Sequence, residues 1–204
     1  GMLKTVISRA GFADLFESSR TGNKTEQLAA LPSELSRFAI DTLFERPVLA
    51  ELVQLLLQEH TRLTSSCILI HGMGGTGKTV TAVAVLQRRD VRAHFCEIYW
   101  VTVGADAIDA QLRQLQGALH KQLSGKATST EDALAKSAQD WQAMLVAAVT
   151  EKQRALVVLD DPWMAEQVRL LNPIDGSQTN HRLLITTRIR DLVPKATRVE
   201  LPLM

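Results

Sequence analysis

Apolar residues follow two kinds of pattern along the chain. From Glu45 to His60 they recur at Val48, Leu49, Leu52, Val53, Leu55, Leu56 and Leu57, the spacing of a helix with one buried stripe. Pro47 stands near its start, where a missing N–H is tolerated. Short runs of another kind follow. Ser66–His71 (SCILIH) leads into the glycine-rich stretch Gly72–Thr79, and helix-compatible residues continue to Arg89. Glu97–Val103 (EIYWVTV) is aromatic and β-branched, and Ala155–Leu159 (ALVVL) is continuously apolar. Both read as strands, the second of the kind buried on both faces. Leu183–Thr186 and the weaker Thr197–Leu201 add two more. Between them, Ile108, Leu112, Leu115, Leu119 and Leu123 mark a helix over 107–123. Ser129–Asp132 has the form of a capping box that opens a long helix to about Lys152.

Strands that alternate with helices specify a parallel sheet covered on both faces. The expectation is an α/β fold, a three-layer α/β/α sandwich with a parallel sheet of about five strands. Residues 1–40 show no lasting periodicity and are read as an N-terminal arm, structured where it docks. The folded domain is expected over 41–204.

The chemistry sits at the ends of the strands. Gly72-Met73-Gly74-Gly75-Thr76-Gly77-Lys78-Thr79 fits the phosphate-loop pattern G-x-x-x-x-G-K-[ST] between a strand and a helix. Such a loop wraps a phosphate with inward-pointing backbone N–H groups, and side chains at several of its positions would obstruct that. The helix that follows aims its positive end at the phosphates. Lys78 is placed to reach the β- and γ-phosphates, and the Thr79 hydroxyl to ligate Mg²⁺. The P-loop NTPase fold is therefore the specific expectation. The strand 155–159 ends in Asp160-Asp161. On a neighbouring parallel strand, Asp160 would hold the metal through its water shell, and Asp161 would orient an attacking water. Arg188, after Leu183–Thr187, is placed at the same edge to reach the γ-phosphate.

Composition narrows the field. Hydrophobic residues make up 46% of the 204 and charged residues 22%, enough apolar surface for a core. Lys plus Arg number 23 against 22 Asp plus Glu. That balance argues against a broad nucleic-acid-binding face. No apolar run approaches the roughly 18 residues of a membrane span. Cys67 and Cys96 cannot form a disulfide framework and are read as two buried, reduced thiols of a cytoplasmic protein. Histidines 60, 71, 94, 120 and 181 show no ligand spacing. Arg88, Arg89 and Arg92 are read as charges complementing a helix C-terminus. Leu123-Ser124-Gly125 starts like a transporter-ATPase signature, but Lys126 breaks it; Asn23-Lys24-Thr25-Glu26 precedes the phosphate loop and ends in Glu, so guanine specificity has no support.

Taken with Leu159-Asp160-Asp161-Pro162-Trp163 and Leu183-Leu184-Ile185-Thr186-Thr187-Arg188, the phosphate loop gives the chain a resemblance to the NB-ARC family. That family is the nucleotide switch of plant disease-resistance proteins and of the apoptosome scaffold, within the STAND class of signalling NTPases. Phe95–Val103, Thr42–Leu49 and Val199–Leu203 extend the likeness from about residue 40 to the end. The resemblance implies that Phe44 packs near an adenine and Arg46 hydrogen-bonds to it. It implies that Gly74 to Val80 bind phosphates, that Thr79 and Asp160 serve Mg²⁺, that Asp161 orients water and that Arg188 senses the γ-phosphate. Pro162 stands where the family carries an aliphatic residue, and Glu45 where it carries the glycine before the adenine-binding arginine. The family continues into helical and winged-helix subdomains, which would follow Met204, so the expectation is either a piece cut near that boundary, which the closeness of the end favours, or a short natural protein.

The function implied is a regulatory domain that binds ADP or ATP with Mg²⁺, hydrolyses ATP slowly and controls conformation and self-association. Two alternatives share the phosphate loop. One is a scaffold that binds nucleotide without turnover. The other is a small-molecule kinase, although residues 104–153 offer only Arg113 where an arginine-bearing lid would need several.

Overall fold

The computed structural model describes residues 28–38, 47–58, 65–126, 129, 135–175 and 180–203. Five strands form one parallel sheet: β1 Cys67–His71, β2 Glu97–Gly104, β3 Ala155–Pro162, β4 Arg182–Thr187 and β5 Thr197–Glu200. Their order is β2-β3-β4-β1-β5, so β4 lies between the strand that feeds the phosphate loop and the strand that ends in two aspartates. The neighbour of β1 expected to carry Asp160 is thus one strand further away. A parallel pair needs a crossover connection, and the helix between successive strands leaves room for a third strand to insert.

Among the described residues the helices are α1 Pro47–Leu57, α2 Lys78–Gln87, α3 Arg89–His94, α4 Asp109–Ser124, α5 Ala138–Thr150 and α6 Ala165–Leu171. Alternation along the strands splits the core in two. On one face Leu69, Val101, Val157, Leu159 and Ile185 pack with Leu112, Leu119, Leu145, Val149 and Val168 of α4, α5 and α6. On the other, Ile68, Ile70, Trp100, Val158 and Leu184 pack with Leu52, Leu56, Val83, Leu86 and Val91 of α1, α2 and α3. Side chains of one strand point alternately to opposite faces, so each strand serves both layers. This is the three-layer α/β/α arrangement. Among the described residues no helix is long and apolar enough to cross a membrane.

Several local expectations need correcting. Arg88 adopts an extended backbone (φ −60°, ψ 132°) that ends α2 and starts α3. The arginines at 88 and 89 therefore open a helix instead of closing one. Arg92 donates from Nε to the Ala29 carbonyl at 2.9 Å, and the Ala29 N–H donates to the Arg92 carbonyl at 2.8 Å. Residues 28–38, with the 3₁₀ turn Ser33–Arg37, dock there and bury Ala29 and Leu35 in the second core. Helix α5 opens at Ser137, which forms a capping box with Asp140. The box expected at Ser129–Asp132 lies mostly outside the described residues. Cys67 is buried, and burial pushes its thiol up to about 12. Cys96 is exposed, because it occupies the short turn between α3 and β2.

Candidate functional site

The site is assembled at the C-terminal edge of the sheet, where open α/β sheets place their ligands. Strand register sets its base. Thr102 pairs with Asp160 across β2 and β3, and Asp160 with Thr186 across β3 and β4. Three polar side chains thus stand in one row, at the level where the apolar strands give way to loops. Thr79, at the start of α2, donates its hydroxyl to Asp160 Oδ1 at 2.8 Å, and Thr186 donates to the same oxygen at 2.5 Å. The N–H of Asp161 donates to Thr186 Oγ1 at 3.1 Å. Thr186 therefore couples both acids. Its position two residues before Arg188 carried no signal strong enough to single it out in the sequence.

The phosphate loop runs from Gly72 through Met73, Gly74, Gly75, Thr76 and Gly77 into α2, where Lys78, Thr79 and Val80 form the first turn. Gly77, the N-cap, is left-handed at φ 84°, a conformation glycine adopts without steric cost. Gly72 is demanded by space, since a Cβ there would lie 2.6 Å from the Leu201 carbonyl oxygen. Thr76 braces the loop by donating to the Met73 carbonyl at 3.0 Å. Lys78 folds back over it and donates to the carbonyls of Gly72 at 2.9 Å and Met73 at 2.7 Å. Its amine is held below the ordinary lysine range, first by burial and then by the Arg188 charge, against the pull of Asp161 and Asp160.

Beyond Asp160 the chain turns sharply. Asp161 has a φ of 56°, a left-handed backbone uncommon outside glycine and tolerated best by Asp and Asn. Its carboxylate accepts from the Trp163 indole Nε1 at 3.2 Å and stands 3.8 Å from the Arg188 Nε. Arg188 in turn lies over the Trp163 ring, 5.0 Å from its centroid. Gln167 on α6, fully buried, accepts the N–H groups of Trp163 and Met164 and donates to the carbonyls of Gly104 and Ala107. It stitches the loop after β3 to the loop after β2.

These residues enclose a cavity of about 330 Å³ lined by Gly74, Gly75, Gly77, Lys78, Thr79, Thr102, Gly104, Asp160, Asp161, Thr186 and Arg188. Lys78, Thr79, Asp160, Asp161 and Arg188 thus face one space. Phe44 and Arg46, expected at an adenine, lie outside the described residues. A larger cavity of about 440 Å³ lies apart from the phosphate loop, between α4, α5 and α6. It contains none of the expected phosphate-binding residues.

Fold and site together define a P-loop nucleotide-binding domain. Comparison with known proteins makes the class specific. The NB-ARC domain model matches residues 47–201, about three quarters of the chain, and the chain belongs to the NB-ARC family. It is 28% identical over 129 residues to the putative disease resistance protein At1g58400 of Arabidopsis thaliana, covering 63% of this chain and 14% of that protein. It is 31% identical over 119 residues to the probable disease resistance protein RF45 of the same plant, covering 58% of this chain and 11% of that protein. Among solved structures it resembles a signal transduction ATPase with numerous domains, bearing a tetratricopeptide repeat sensor, from Pyrococcus horikoshii. That match has a TM-score of 0.50 at 19% identity and covers 86% of this chain and 24% of that one. The likeness concerns the fold. The chain therefore spans a small part of the length of these relatives, and within it lies a nucleotide-binding domain of regulatory type.

Proposed function

We propose that this domain binds ADP and ATP with Mg²⁺ and hydrolyses ATP slowly, as a switch that governs conformation and self-association. One observation carries the reading: Lys78, Thr79, Asp160, Asp161 and Arg188 line a single cavity against the phosphate loop. The loop N–H groups and the α2 N-terminus cradle the phosphates. Lys78 exchanges the two loop carbonyls for β- and γ-phosphate oxygens. Asp161 orients water, and Arg188 takes up the charge of the γ-phosphate. Phe44 and Arg46 are assigned to the adenine on the strength of the family resemblance.

The residues fit Mg²⁺. The ion prefers hard oxygen ligands and keeps most of its waters, needing only one or two groups from the protein, and Thr79 and Asp160 bring a hydroxyl and a carboxylate within 2.8 Å. Mg²⁺ would supply charge neutralisation across the β- and γ-phosphates. A switch requires unequal binding by its two states. The γ-phosphate provides the difference through Lys78 and Arg188, and hydrolysis removes it. Slow turnover follows from the short reach of an aspartate at 161 and from the absence of a second arginine among the residues lining the cavity, since an arginine finger is worth about 10³–10⁵ in rate.

Phosphate release from Mg·ATP by the purified chain tests this. Turnover far below the roughly 10 per second of ordinary enzymes, and lost in Asp161→Asn, is expected. Turnover at that ordinary rate contradicts the switch. Nucleotide binding with no release before or after the substitution supports the non-hydrolysing scaffold instead.

A further inference from the structure

Asp161 and Arg188 carry opposite charges, are both partly exposed, and stand only 3.8 Å apart at Nε and Oδ1. An arginine and a carboxylate free to move close into a bidentate pair at about 2.7–2.9 Å. Here they do not, and Trp163 stands between their preferences. Its edge donates Nε1–H to Asp161 Oδ2 at 3.2 Å, and its face carries the guanidinium at 5.0 Å. One indole therefore binds each partner by a different part of its ring. Guanidinium over an aromatic face is favourable in itself, so Arg188 is retained without spending its donors on Asp161.

The backbone that carries the indole is itself fixed. Gln167 accepts the backbone N–H of Trp163 at 2.8 Å and anchors to the carbonyls of Gly104 and Ala107. Thr187 donates to the Pro162 carbonyl at 2.8 Å, which ties the preceding residue to β4. Proline at 162 further limits the turn by fixing its own φ. Arg188 Nη1 lies 3.3 Å from where a Cβ on Gly74 would stand, so the guanidinium is parked against the phosphate loop while it rests on the ring.

We propose that Trp163 is a positioning residue for the hydrolytic site: by engaging both partners of the Asp161–Arg188 ion pair it keeps that pair loose, at 3.8 Å instead of bidentate, so that the carboxylate can still turn to water and the guanidinium to the γ-phosphate. This rests on the nucleotide-switch reading of the same site and adds to it the element that keeps the ion pair from closing into a bidentate one. It follows that arrival of a γ-phosphate draws Arg188 from the indole face, whereas ADP leaves it there.

Trp163→Phe keeps the ring face and removes the N–H. Asp161 then closes on Arg188. In steady-state hydrolysis, kcat is expected to fall about tenfold, part of the roughly 10²–10⁴ that a positioned general base contributes, and KM for Mg·ATP to rise because the closed pair withholds Arg188 from the γ-phosphate. A second readout does not depend on turnover. Trp100 and Trp141 are buried in the core and Trp163 is half-buried at the site. The wild-type emission should therefore change with a non-hydrolysable Mg·ATP analogue and not with Mg·ADP, and the change should vanish in Trp163→Phe. Equal emission with the two nucleotides, or unchanged kcat in the variant, overturns the assignment of Trp163 while leaving nucleotide binding intact. Failure of the wild type to bind either nucleotide by calorimetry overturns the underlying reading, and this inference with it. If Trp163→Phe is unfolded at the assay temperature, the wild-type emission comparison decides alone.

Discussion

Thr79 and Asp160, 81 residues apart in the chain, share a hydrogen bond of 2.8 Å. It joins the first turn of α2 to the end of β3, across the intervening strand β4. The hydroxyl and carboxylate proposed for Mg²⁺ are thus already in register. Thr79→Ala should weaken Mg·ATP binding about tenfold, near 1.4 kcal/mol, and leave binding of metal-free ATP in EDTA almost unaffected. Titration calorimetry under the two conditions checks this. An equal loss in both would mean that Thr79 serves the fold and not the metal.

Thr186 donates to Asp160 and accepts from the backbone of Asp161. Thr186→Val keeps the shape and strips both bonds, leaving a buried carboxylate short of a donor and an N–H without its acceptor. Unsatisfied buried groups cost about 1–3 kcal/mol each. A chain of this size loses roughly 2–4 °C of Tm per kcal/mol, so a fall of several degrees is expected in thermal unfolding. An unchanged Tm would show that the bonds contribute nothing.

Two loop glycines should respond differently to alanine. At Gly72 the new Cβ meets the Leu201 backbone oxygen at 2.6 Å, and that segment is itself held by the Leu201 N–H donating to the His71 carbonyl at 2.7 Å. Something in the backbone must move, and overpacking of this kind costs about 1–3 kcal/mol. At Gly74 the Cβ meets only the flexible end of Arg188, at 3.3 Å. Gly72→Ala should therefore lower Tm clearly, and Gly74→Ala should hardly change it. Equal melting temperatures would refute the contrast.

Stability should fall as pH drops below about 6.5. His71, His94, His120 and His181 are all held below the ordinary histidine value, each chiefly by burial. His181 also accepts the Ala155 N–H on Nδ1 at 2.9 Å, a bond that protonation would break. With folded values depressed, the unfolded chain binds more protons just below 6.5, so acidification favours unfolding there. The lowered carboxylates, such as Asp90, act at more acid pH. Tm measured at pH 7.5 and 5.5 should be lower at 5.5; an equal or higher value at 5.5 would contradict the buried neutral histidines.

Much of the architecture was legible because its strands are short, apolar and strongly patterned. Ser66–His71 and Ala155–Leu159 announce buried parallel strands, and each terminates in residues of a different chemical kind. The eight residues from Gly72 to Thr79 were equally plain, since few other tasks require that spacing of glycine, lysine and threonine. Strand order was not legible. Nothing in Leu183–Thr187 says that it inserts between β1 and β3, because insertion depends on the length of crossovers and the packing of helices. Helix α3 escaped notice for a related reason. Six residues with a single buried apolar side chain, Val91, leave almost no periodicity, and the break at Arg88 is made by backbone geometry rather than by Gly or Pro. Trp163 is legible only as the last residue of the family motif 159–163, with no role attached, and Gln167 not at all, until the turn at Asp161 brings the indole edge onto a carboxylate and the buried amide onto the loop backbone.

Residues 72–79 are proposed to bind the phosphates of an adenine nucleotide, with Lys78 as the principal cation. Titration calorimetry of the purified chain with Mg·ATP and Mg·ADP, set beside Lys78→Ala, tests it most directly. Saturable heats with the wild type and their loss in the variant are expected. Flat traces from a folded wild type, or binding that Lys78→Ala leaves unchanged, would rule out phosphate binding by this loop.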